Sequence, residues 1–209
     1  ANTDDITNTT GQLAGVSALP ITITDSGVVS AADVKAIVAD TNATGKVTIS
    51  SNATALSGVM GDLSAVQSYN TATIAGNTAL NLIATAPITP KAQVTLAGAT
   101  TGKVTATITT EAGKNVGLFS GDLGTPAAGN LTNLVGTGHS LTINVTDTDA
   151  TAAQLKALDA VTTVQINIDN TKFAKIDGST AADAVTVLSS SGFTPFASDL
   201  VVEITSGTT

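Results

Sequence analysis

One phrase recurs along this chain. Thr44-Gly45-Lys46-Val47-Thr48-Ile49 is echoed by Thr101-Gly102-Lys103-Val104-Thr105-Ala106-Thr107-Ile108, and a third time by Thr162-Thr163-Val164-Gln165-Ile166-Asn167-Ile168. The β-branched runs start at Val47, Val104 and Val164, a period of about 60 residues. A second strand type keeps the same average spacing at Ile21-Thr22-Ile23-Thr24, Val94-Thr95-Leu96, Leu141-Thr142-Ile143-Asn144-Val145 and Val201-Val202-Glu203-Ile204. An apolar-x-Gly step forms the third marker, at Leu56-Ser57-Gly58, Phe119-Ser120-Gly121 and Ile176-Asp177-Gly178. A chain that repeats itself this way buries the apolar edge of each piece against its neighbours.

Between the strands, Ser30-Ala31-Ala32-Asp33, Thr151-Ala152-Ala153-Gln154 and Thr180-Ala181-Ala182-Asp183 place a hydroxyl at N-cap and an acceptor three residues on. This is capping-box spacing, and it predicts a helix start at each. Apolar residues follow at helical spacing: Val34, Ile37 and Val38; Leu155 and Leu158; Val185 and Leu188. Helices of two or three turns are unstable alone, so each is expected to dock that edge. The strands alternate, with Val164, Ile166 and Ile168 expected inward and Gln165 and Asn167 outward.

Composition agrees. Hydrophobic residues are 42% of the chain but aromatics only 2%, and Thr with Ala supply about a third, which suits thin layers of small side chains. The expected fold is a β-rich repeat protein, a right-handed solenoid of short parallel strands with short crossover helices. The alternative is an ordinary α/β layered domain. Each 60-residue period would hold two turns of about 30 residues. Residues 1–18 read as a linker or partial repeat and 19–70 as a first repeat. Residues 71–138 read as a degenerate repeat with extra material over 71–92 and a Gly/Pro-rich loop over 111–138, and 139–209 as a third repeat. The start and the end at 206–209 read as cuts through a longer array.

Several functions are disfavoured. The net charge is −8, and eight basic residues scattered singly give no footprint for nucleic acid. There is no cysteine, hence no disulfide, thiol nucleophile or Cys-based zinc site. No stretch is long and apolar enough to predict a membrane span. His139 is the single histidine, expected as an exposed loop residue without triad or metal partners. No G-x-S-x-G elbow or phosphate loop is present, so no catalytic residue is assigned and no enzyme is expected. Calcium is the one cofactor worth weighing: Asp147 and Asp149 follow a strand, and Asp25 holds the equivalent place earlier. The EF-hand string is absent, and the plainer expectation is that these aspartates form turns. Threonine rows such as Thr105, Thr107 and Thr109 are too short and interrupted to argue for ice binding, and suit half-exposed strands. Phe173, Phe193 and Phe196 are expected as packing.

The run from Val145 through Asp147, Asp149, Thr151, Gln154 and Leu158 to Thr163, and the run from Lys175 through Gly178 to Asp183, resemble the repeats of very large cyanobacterial cell-surface proteins, including those linked to swimming of marine strains. The resemblance is strongest over 141–205, fair over 19–66 and weak between, and it transfers no site residue. It implies an extracellular structural segment at the cell surface, spacing other domains or self-assembling into an array, layer or filament. Its partners would be other copies of itself or neighbouring repeats. The alternative is an adhesin or phage-fibre-like module that recognises a surface glycan or protein through the loop at 111–138.

Overall fold

A computed structural model of the 209-residue chain describes residues 21–40, 47–68, 74–75, 79–109 and 131–205. The chain forms two compact units, residues 1–86 with 95–105 and residues 87–94 with 106–209. The expected linker at 1–18, the expected loop as far as residue 130 and the end at 206–209 lie outside the described residues, as do Phe119 and Thr44 to Lys46.

In chain order the first elements are β1 (Ile21–Ile23), β2 (Gly27–Ser30), α1 (Ala31–Asp40), β3 (Val47–Ile49), β4 (Ala53–Gly58), α2 (Met60–Ser68), β5 (Ile74–Ala75) and β6 (Asn81–Ala84). Next come α3 (Pro90–Ala99) and β7 (Val104–Thr107). After a 3-10 turn at Leu131–Asn133 follow β8 (Ser140–Thr142), β9 (Asn144–Val145), β10 (Asp149–Thr151), α4 (Ala152–Val161), β11 (Asn167–Ile168), β12 (Lys175–Ser179), α5 (Ala181–Leu188) and β13 (Val201–Ile204). The fold is α/β, with parallel strands in several sheets, none of them closed among the described residues.

In the first unit β3 lies between β1 and β5, in the register Ile21↔Val47↔Ile74. Beside it, Val29 of β2 pairs with Leu56 of β4, Leu56 with Leu82 of β6, and Leu82 with Val104. These four side chains form a stack with no solvent exposure. Each contributes about 1.5–3 kcal/mol through burial. In the second unit Val145 of β9 pairs with Ile168 of β11, and Ala150 of β10 with Ile176 of β12, which pairs in turn with Val202 of β13. Pairing partners stand 26 or 27 residues apart at most of these places and 22 or 23 at the Leu82–Val104 and Val145–Ile168 pairs. The 60-residue sequence period is not the structural one: Val47 lies in the sheet of β1, β3 and β5, Val104 in that of β2, β4 and β6, and the spacing between paired strands is shorter than either the period or its expected 30-residue half.

The three anticipated helix starts are present. Ser30 Oγ accepts from the Asp33 N–H at 3.3 Å. Thr151 closes a full capping box, its Oγ1 accepting from Gln154 N at 3.2 Å while Gln154 Oε1 accepts from Thr151 N at 2.8 Å. Thr180 Oγ1 accepts from Asp183 N at 3.1 Å. Four expectations need correction. Val94-Thr95-Leu96 is not a strand but the middle of α3. Its start is set by Thr89, whose Oγ1 accepts from Ala92 N at 3.2 Å, and by Pro90 at the first helical position, where a missing N–H costs nothing. Those cap signals outweigh two β-branched residues. Within residues 71–92, read as extra material, Asn81–Ala84 form β6, an in-register neighbour of β4. Val164 is exposed, because the strand begins only after it, while Ile166 and Ile168 are buried as expected. On α5 the buried residues are Ala184 and Val187, and Val185 and Leu188 face solvent.

Candidate functional site

Side-chain contacts bridge consecutive strand–helix segments at the spacing of the strand pairs. Lys35, on the second turn of α1, reaches Asp62 at the start of α2 at 2.7 Å, and Lys156 of α4 reaches Asp183 of α5 at 2.9 Å. In both cases the partner is 27 residues on. The Lys156 ammonium, then the Thr180 hydroxyl, holds the Asp183 carboxyl below the usual carboxylate range. At the head of the same helices the spacing recurs in another form. Ala152 N donates to Ser179 Oγ at 2.9 Å, satisfying an orphan N–H of α4 from the next strand. In the first unit the matching place is Gly58, where a Cβ would stand 2.9 Å from the Ala31 Cβ.

Gln165 Nε2 donates to the Ser191 and Phe193 carbonyls at 3.3 and 3.0 Å, Asn170 Nδ2 to Pro195 O at 2.9 Å, and Asn170 Oδ1 accepts from Ala197 N at 3.1 Å. These amides act as backbone surrogates between chain segments. Thr162 plays a similar part inside the second unit. It is the C-cap of α4, is buried, and its Oγ1 accepts from Leu141 N at 3.0 Å and Val164 N at 3.1 Å while facing Leu141 O at 3.0 Å.

His139 corrects the expectation of an exposed loop residue: it is only 6% exposed. Its N–H donates to Val161 O at 3.0 Å and its carbonyl accepts from Thr163 N at 2.8 Å, so the residue is already part of the ladder. The imidazole lies over Gly136, whose φ is +85° and where any Cβ would collide with the ring. The sequence signal was Gly136-x-Gly138 immediately ahead of the histidine, a turn that folds back over it.

Of the aspartates weighed for calcium, Asp25 belongs to the first unit, and Asp147 and Asp149 to the second. Asp147 is buried, and Asp149 is exposed at the first position of β10, its Oδ2 accepting from Thr148 Oγ1 at 3.1 Å. Among the described residues no group of three or more carboxylates or imidazoles is placed to hold a metal ion.

Phe173 and Phe193 are buried, and the Phe196 ring lies 6.0 Å from the first and 5.7 Å from the second, tilted against both. Beside them runs an open groove of about 480 Å³, whose lining includes Gln165, Leu188, Phe193, Thr194 and Phe196 and no ionisable side chain. Its polar groups already serve the fold: Thr194 Oγ1 accepts from Ile168 N at 2.8 Å, and Ser190 Oγ donates to Asp159 Oδ2 at 2.8 Å. The groove offers shape and an aromatic edge, but no acid–base pair.

The sequence reading missed the far side of α5 and β13. Val185 is 65% exposed, Leu188 46%, Val201 53% and Ile204 48%. The signal was visible in Ala181-Ala182-Asp183-Ala184-Val185-Thr186-Val187-Leu188, a helix apolar on more than the one edge it buries. Among the described residues no helix is long and apolar enough to cross a membrane. No protein-family model, curated protein or solved structure matches the chain.

Proposed function

We propose that this chain is an extracellular structural segment of a bacterial cell-surface protein, a right-handed solenoid that spaces or assembles surface material and performs no catalysis. The observation that supports the reading is the recurring parallel offset of 26 or 27 residues, seen as Ile21↔Val47↔Ile74 in one unit and Ala150↔Ile176↔Val202 in the other. Short helices cross between the strands, and Lys–Asp contacts repeat at the same interval. A stack held by nearest-neighbour contacts can lose one member and close up, whereas a layered domain loses its core. Excising residues 149–174, which brings Lys175 to the place of Asp149, is expected to leave a soluble, cooperatively unfolding protein with proportionately smaller unfolding enthalpy. An aggregated or molten product would refute the solenoid. Antibody against the chain should label intact, unpermeabilised cells; labelling only after lysis would refute the surface location.

Calcium binding through Asp25, Asp147 and Asp149 is a second proposal. Thermal unfolding with millimolar calcium and with chelator tests it, with a rise in midpoint expected if these carboxylates are ligands and no shift if they only shape the turn.

A further inference from the structure

We draw no further inference here: the strongest candidate, the open groove beside Phe193 and Phe196 on the last of the described strand–helix segments, already uses its polar groups within the fold, and nothing in the structure shows what covers it.

Discussion

Replacing Thr162 by valine isolates what a single hydroxyl contributes to the second unit. The Oγ1 stands where α4 ends and the ladder toward His139 and Leu141 begins, accepting from Leu141 N and Val164 N and facing Leu141 O, at 3.0 to 3.1 Å. Leu141 is fully buried, so its N–H has no water to turn to when the hydroxyl is gone. An orphaned buried donor costs about 1–3 kcal/mol, and the lost bond to the carbonyl about 1 kcal/mol more. Val164 is at the surface, so its N–H can be rehydrated and adds little. Thr162→Val should therefore destabilise by about 2–4 kcal/mol. Thr162→Ser keeps the hydroxyl and removes a methyl, costing about 1 kcal/mol. With a urea m-value near 2 kcal/mol/M, the valine variant should lose about 1–2 M of midpoint and the serine variant about 0.5 M. Amide exchange at Leu141 should accelerate in the first and barely change in the second. A valine variant as stable as the serine variant would refute the argument that this hydroxyl carries the junction.

Three further outcomes follow from the geometry. Gly192→Ala should destabilise only by about the 1 kcal/mol of one hydrogen bond, because a Cβ there displaces the Asp159 carboxylate, the flexible end of a half-buried side chain, from Ser190; Asp159→Ala in the same chain should make the glycine substitution neutral, measured by thermal unfolding. Gln93→Met should release the turn at 131–135, since the buried amide bonds Val135 O at 2.9 Å and Val135 N at 3.2 Å; faster exchange at Val135 with little change in global midpoint is expected, and unchanged exchange counts against it. The Asp183 carboxyl has its pKa depressed below 3.8 by Lys156 and Thr180, so its contribution to stability is present above that value and fades as pH falls through the depressed one. Acid titration of stability should be shallower in Lys156→Met, and an identical acid profile would refute the coupling.

What could be read from the sequence divides by the range of the forces involved. The caps at Ser30, Thr151 and Thr180 were legible because a hydroxyl and an N–H three residues apart meet wherever the rest of the chain goes. The strand at Val47 and the buried edges of α1 and α4 were legible from periodicity alone. The middle of α3 was misread because β-branched residues were weighed without the Thr89-Pro90 start six residues earlier. His139 and α5 were misjudged for a different reason. Burial of the histidine depends on its pairing with Thr162, 23 residues away, and which edge of α5 is covered depends on β12 and α4. For the candidate metal residues, Asp25, Asp147 and Asp149 share a sequence context, and context alone carries no information on distance.

The offset between paired strands also sets an order of events during synthesis. A strand that pairs 26 residues back, in a chain of 209, has a contact separation of about 0.12 of the length, which belongs with fast-forming topologies rather than with sheets closed from distant segments. β12 can dock on β10 once the intervening helix has left the ribosome, and β13 on β12 after that, neither waiting for residues still to be made. The growing end would therefore be a sticky edge only briefly and in one place at a time. A chain assembled this way can rebuild itself outward from any pair of neighbouring strands that forms first.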